Sequence, residues 1–306
     1  MLAPTHTPKP MNRYIYALGF FDGVHIGHTA LLRECRRLAD RHDCTAAAVT
    51  FSSHPDTLVL GKTPRLINTI EDRVRLLKAH GMDAVIILPF DRKIQTMDWQ
   101  EFLALLREDY GAAGLVCGHD FRFGNRGAGN AKLLAEYCEG NHMPWAVVPE
   151  QRLGDISVSS TYIRTLLEAG KMEEAATFLG HPHMLTGEVV SGRKLGRTLG
   201  IPTANLSIPE GVVQLPFGVY ACKALAEGRE YLAVTNIGNR PTVGGHRITV
   251  EPWLLDFDGD LYGKELTLSF YSFLRAEEKF PSLDALKAEI QKNAAQTRKI
   301  FENNTK

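Results

Sequence analysis

Two domains of different class are expected in this 306-residue chain: an α/β unit on an open, doubly wound parallel sheet, then a small antiparallel β-barrel with a terminal helix. Three observations predict this. In the first half, short apolar runs alternate with helical patterns, as in a parallel sheet covered on both faces. After Leu153 that rhythm stops, and from Thr186 short strand-like runs and turns take over. At the end, Leu283, Leu286, Ile290 and Ile300 punctuate a Lys- and Glu-rich stretch, an amphipathic closing helix. The boundaries read as 12–180 and 184–306, with His181–Met184 as linker.

Tyr14–Leu18 is the first apolar run, closed by Gly19, and a helix pattern follows from about Thr29 to Arg41. Thr45–Phe51 is the second strand. Ile70, Val74 and Leu77 show i, i+4, i+7 spacing, and Gly81 supplies a stop. Ala84–Pro89 is a buried strand. Trp99, Phe102, Leu103 and Leu106 form a helical stripe ended by Gly111. Gly114–Gly118, a helix carrying Leu133, Leu134 and Tyr137, and Trp145–Pro149 complete the set. Five strands with right-handed crossovers make a Rossmann-like sheet. One or two short helices follow within 157–180. In the second domain, an Asp-Gly pair inside Asp256–Gly263 reads as a hairpin turn between two strands.

Composition narrows the function. Thirty-five Lys and Arg balance 35 Asp and Glu, which weighs against a general nucleic-acid binder. Apolar residues at 44% allow real cores. No run approaches the roughly 20 apolar residues of a membrane span, and no secretory signal pattern opens the chain. Cys35, Cys44, Cys117, Cys138 and Cys222 are odd in number and form no CxxC pair, so they read as buried or free thiols of a reducing compartment. The expectation is a cytoplasmic protein, a monomer or weak homo-oligomer, with no nucleic-acid or membrane partner.

Chemistry concentrates in two segments. Gly19-Phe-Phe-Asp-Gly-Val-His25-Ile-Gly-His28 lies where the first strand turns into the first helix, the ligand-binding edge of an open α/β sheet. A helix N-terminus there offers unpaired N–H groups to phosphate. His25 and His28, one turn apart, add donors, and Gly23 and Gly27 allow close backbone approach. A helix cap or a zinc site are the alternatives, and no third ligand stands at zinc-motif spacing. The second segment, Gly187 to Asn205, is rich in Gly and basic residues but is not a Walker A loop. Gly187, Gly192, Gly196 and Gly200 permit approach to phosphates, with Arg193, Lys194 and Arg197 as counter-charge. Thr203 and Asn205, two apart on an extended segment, offer neutral oxygens to a magnesium ion that takes few protein ligands. A glycine-rich surface hairpin is the alternative.

The His-x-Gly-His turn resembles the nucleotidylyltransferase superfamily. With Thr50–Pro55, Gly118–Gly129 and Ser159–Arg164 it looks like the adenylyltransferase module of bacterial bifunctional riboflavin kinase/FAD synthetases. The second half, through GRxLGxPTAN, Pro216–Ala221, Asn236–Thr242, Val250–Gly263 and Leu274–Phe280, resembles the riboflavin kinase module of that family. The resemblance runs from about Tyr14 to Phe301, which leaves Met11 as a natural start.

It implies that His25 and His28 act catalytically, and that Gly19, Phe20, Asp22, Gly23, Gly27, Ser159, Ser160, Thr161 and Arg164 bind nucleotide phosphates. Taken alone, the Ser159 group reads as an ordinary helix cap. His54, Pro55, Asp120, Phe121, Phe123 and Asn125 are implied flavin contacts, although aromatic residues in such runs serve equally as core. In the second domain the resemblance implies that Gly192, Arg197 and Gly200 bind phosphate, Thr203 and Asn205 hold Mg2+, and Glu251 is the base. Pro252 and Trp253 depart from the small residue and His that many members carry there. The implied substrates are riboflavin, FMN and ATP. Two rival readings are a nucleotidylyltransferase for another phosphorylated cofactor with a regulatory β domain, and a non-catalytic flavin sensor.

Overall fold

The computed structural model describes residues 13–59, 61, 64–190, 201–207, 209–242 and 245–303. They divide into two compact units. One holds the described residues up to Pro64 together with Arg73–Ser159; the other holds Arg65–Asp72 and those from Ser160 onward.

The described residues of the first unit form a parallel sheet of β1 (Tyr14–Leu18), β2 (Thr45–Phe51), β3 (Ala84–Leu88), β4 (Ala112–Gly118) and β5 (Trp145–Val148), in the order β3-β2-β1-β4-β5. The order reverses beside β1, so the turn after Leu18 lies at the topological switch point. The longer helices before Ser160 are α1 (Ile26–Arg41), α2 (Ile70–Ala79), α3 (Trp99–Glu108) and α4 (Ala131–Gly140). Helix α1 starts three residues earlier than the apolar pattern indicates, because His25 caps it. Asp98 and Glu101 close a capping box on α3, which gives Trp99, Phe102, Leu103 and Leu106 a firm start. Phe102, Leu103 and Leu106 are buried with Tyr16, Leu18, Leu115 and Cys117 in one cluster. All five cysteines are free thiols.

Helices α5 (Ser160–Glu168) and α6 (Met172–Leu179) belong to the second unit. Its closed barrel runs β6 (His183–Val190), β7 (Asn205–Leu206), β10 (Gly245–Leu254), β9 (Arg229–Thr242), β8 (Gly218–Ala226) and β11 (Glu265–Ala276), antiparallel throughout. His183 and Met184, expected in a linker, are the first residues of β6. The Asp256–Gly263 segment is not a hairpin either. Strand β10 is already flanked by β7 and β9, and β11 by β8 and β6, so the two strands it joins are not neighbours. The tight hairpin is at Glu227-Gly228, whose φ angles of 51° and 78° suit a turn matched to strand twist. Helix α7 (Leu283–Asn303) closes the unit, burying Ala294, Thr297 and Phe301 on one stripe. Asn68 and Asp72 join the same unit: Asn68 Nδ2 donates to the Met184 carbonyl at 3.2 Å, and the Thr186 amide donates to Asp72 Oδ2 at 3.1 Å.

The interior of this barrel carries one titratable ring with consequences. His183 is 3% exposed, tilted against Phe270 at 5.8 Å, and its Nδ1 has no hydrogen-bond partner among the described residues. Burial, then the nearby His181, pushes its pKa down to about 3. An unfolded imidazole protonates near about 6.5. Between those values the unfolded chain takes up a proton that the folded one refuses, so stability is full above the upper value and falls as pH falls through the window. His183→Phe is therefore expected to flatten the acid side of the stability–pH curve and to raise stability near pH 5. Urea unfolding at several pH values measures this, and an unchanged slope refutes it.

Candidate active sites

The first site grows from the backbone of the turn after β1. Phe21, Gly23 and Val24 all have positive φ, at 60°, 80° and 40°. For Phe and Val this costs energy that the surroundings must offset. The buried Phe21 ring does so in part, packing edge-on against His28 at 5.2 Å. A side chain at Gly19 would press on that ring at 3.0 Å. His25 then caps α1: its Nδ1 accepts from the His28 amide at 3.3 Å, which leaves the ring proton on Nε2. The His25 and His28 rings stack at 3.6 Å with 15° between planes. Gly27 eases this, since a Cβ there would sit 3.1 Å from the His25 ring. The room that glycine leaves is thus filled by an imidazole.

His28 is half-buried, and its Nδ1, shielded from solvent, has no hydrogen-bond partner among the described residues. Burial first, then His25 and Arg73, holds its pKa well below the usual histidine value. It is neutral near pH 7 and has one N–H to donate. Phe20 packs edge-on with His54 at 4.7 Å, and Arg73 lies 4.0 Å over the Phe20 ring. Asp22 is buried in the turn. Pro55 opens a short helix, Pro55–Val59, directly after His54.

The remaining implied flavin residues have mixed placements. Phe123 is buried in the main cluster beside Phe102, with half-buried Phe121 stacked on it at 5.5 Å. Asp120 and Asn125 are exposed, and the Asn125 amide donates to the Met97 carbonyl at 2.7 Å. Ser159 precedes α5, Ser160 and Thr161 open it, and Arg164 Nη2 donates to Thr161 Oγ1 at 3.1 Å.

The second site is a cavity of about 670 Å3 in the barrel unit. Glu251, Thr203, Asn236 and Trp253 line it together with Leu286 and Ile290 of α7. Glu251 reaches it because register pairs it with Asn236, while Val250 and Pro252 on either side are buried. The Ala204 amide donates to the Pro252 carbonyl at 2.9 Å, which draws Thr203 alongside Glu251. Pro252 offers no N–H, and this bond needs only its carbonyl. Asn205 is half-buried in β7, paired with Val190, and does not line the cavity. Gly192, Arg197 and Gly200 lie outside the described residues.

Sequence reasoning did not single out Leu286, Ile290 or Arg73. The first two were legible only as a packing stripe. Arg73 stands on the same helical face as Ile70, Val74 and Leu77, and a lone Arg on an apolar stripe was the available signal.

Comparison with known proteins covers both units. A family model described as FAD synthetase matches residues 7–162, and one described as riboflavin kinase matches 179–301. A bifunctional riboflavin kinase/FMN adenylyltransferase from Listeria monocytogenes is 32% identical over 94% of this chain and 92% of its own. The Escherichia coli K12 protein of the same description is 34% identical over 95% and 94%. A solved structure described as a macrolide-efflux protein from Streptococcus pneumoniae aligns with a TM-score of 0.83 and 29% identity, covering 95% of each chain.

The histidine stack sets a titration. The His28 ring resonances should move with a midpoint well below about 6.5, the ordinary histidine value. An NMR pH titration reads this directly, and a midpoint at or above that value refutes the buried, neutral imidazole.

Proposed function

Because the chain belongs to the bifunctional riboflavin kinase/FMN adenylyltransferase family, we propose that it makes both flavin cofactors in sequence. Riboflavin and ATP give FMN and ADP; FMN and ATP then give FAD and pyrophosphate. The observation that carries the reading is the cavity joining Glu251 to Thr203, two polar residues 48 positions apart, under an apolar helix stripe. An acceptor carboxylate, a hard oxygen donor and apolar walls suit a hydroxyl nucleophile on a flat aromatic substrate.

In the kinase step Glu251 accepts the proton of the ribityl 5′-hydroxyl as its oxygen attacks the γ-phosphorus. Thr203, which lines the cavity, would hold Mg2+; Asn205, outside the cavity lining, is proposed with it, and neutral oxygens suit an ion whose remaining shell comes from phosphate and water. When bound, that ion supplies charge neutralisation on the phosphates. Gly192, Arg197 and Gly200 are the proposed phosphate loop. In the adenylyl step the FMN phosphate is already an adequate nucleophile, so no protein base is required. The neutral His28 donates to the phosphoryl oxygens as charge develops, with the free N–H groups opening α1 beside it. Ser159, Ser160, Thr161 and Arg164 are proposed as a further phosphate clamp, and His54, Pro55, Asp120, Phe121, Phe123 and Asn125 as the flavin side.

We assign adenylyl transfer to 12–180 and the kinase to 184–306, in a cytoplasmic monomer or weak homo-oligomer. The efflux in the description of the S. pneumoniae structure is not carried over. Among the described residues no helix is long and apolar enough to cross a membrane.

Two sets of variants test the assignment. Glu251→Gln keeps shape but cannot take a proton, so riboflavin phosphorylation should fall by about 10²–10⁴ in kcat with little change in KM. Thr203→Ala should instead raise the MgATP requirement, and both variants should still turn supplied FMN into FAD. A near wild-type rate for Glu251→Gln removes Glu251 as base. His28→Ala should slow FAD formation by about 10²–10³ while riboflavin phosphorylation continues, so FMN accumulates. Chromatographic separation of the flavins reads both sets, and an undiminished FAD rate would reduce His28 to a packing residue.

A further inference from the structure

The side chain of Arg73 is the charged group of the first unit most withdrawn from water, at 1% exposure. Burying a guanidinium is costly unless its donors are met, and an apolar residue of similar volume would pack there more cheaply. Three of its contacts gather at one place. Nη1 donates to Thr50 Oγ1 at 3.3 Å and to the Phe51 carbonyl at 3.2 Å, and the guanidinium Cζ lies 4.0 Å from the centre of the Phe20 ring. Thr50 in turn donates its hydroxyl to the Phe20 carbonyl at 2.8 Å. Phe20 holds His54 on its edge at 4.7 Å. One side chain therefore ties the C-terminal end of β2 to the residue that opens the His-x-Gly-His turn after β1.

We propose that Arg73 is a positioning residue for adenylyl transfer, its planar guanidinium holding Phe20, Thr50 and Phe51 in the arrangement that presents the phosphate-binding turn to substrate. The inference rests on the adenylyl-transfer reading of this unit. Two properties of Arg matter. Its flat fork stacks on an aromatic face and donates in the same plane, which a Lys ammonium cannot reproduce. Its fixed charge beneath the turn also favours anionic ligands. The groups whose charge acts on His28 are His25, from the same turn, and Arg73, from α2. Removing the guanidinium relieves one of the two repulsions that keep His28 neutral.

The experiment compares full-length Arg73→Met and Arg73→Lys with wild type, measuring FAD formation from FMN and riboflavin phosphorylation on the same preparations. Phosphorylation belongs to the other unit and should stay within about twofold, which controls for intact protein. Arg73→Met should lose about 10²-fold in kcat/KM for FMN adenylylation, comparable to losing one preorganised donor. The acid limb of its pH–rate profile should move to higher pH as His28 protonates more readily. Arg73→Lys should restore the wild-type acid limb but only part of kcat/KM, since charge returns without the planar contact. Wild-type kcat/KM and acid limb in Arg73→Met overturn the proposal. So does a loss in both variants that tracks thermal stability without moving the acid limb, because that is simple destabilisation. Should Arg73→Met fail to fold, Arg73→Lys decides, and an unaltered kcat/KM there overturns the proposal. A wild-type protein that forms no FAD refutes the adenylyl-transfer reading itself, and this inference with it.

Discussion

Val250, Glu251 and Pro252 follow one another on β10, and the pairing of Glu251 with Asn236 decides which of the three meets the cavity. Side chains alternate between the two faces of a strand, so a slip of one residue would point Val250 at the site and bury an unpaired carboxylate inside the barrel. That error would cost several kcal/mol at least. The register is held from both sides, by the ten-residue ladder to β9 and by the Ala204–Pro252 hydrogen bond. Thr203 reaches the cavity as a consequence of the same bond.

The first unit meets its constraint by a different route. Its reactive groups stand on a turn that no ladder holds, and three positive φ angles show how far that turn departs from easy backbone geometry. Ring contacts hold it instead. Phe21 braces His28, His28 stacks on His25, and His25 caps α1. The backbone freedom of Gly23 and the bare Cα of Gly27 permit this; a methyl group at position 27 would displace the His25 ring.

Burial shapes the acid–base behaviour of both units. His28 and His183 are both kept neutral mainly by desolvation, yet with different results. The first is the proposed donor at the edge of the sheet, where anionic ligands would bring compensating charge. The second sits in the barrel wall against Phe270, and its Nδ1 has no hydrogen-bond partner among the described residues. Acid sensitivity of the fold is therefore expected from the second, and acid sensitivity of the chemistry from the first.

Periodicity alone placed the five parallel strands and most helices, because a strand buried on both faces reads as an unbroken apolar run and a packed helix as a 3.6-residue stripe. The Gly-rich turn and the Thr203–Asn205 pair were likewise legible as motifs in the chain, and Glu251 only through the family resemblance. Other features depend on pairings between distant segments, which leave no local trace. The Asp-Gly pair at 258–259 carries a proper turn signal, but the strands beside it were already taken by other partners. His183 and Met184 read as linker until β11 paired with them. Gly27 read as a point of close backbone approach, and only the tertiary structure put the His25 ring 3.1 Å from where its Cβ would stand. Arg73 stood on an apolar stripe, and only the tertiary structure put Phe20, Thr50 and Phe51 within its reach, because local propensity sets a residue's conformation while long-range packing selects its neighbours.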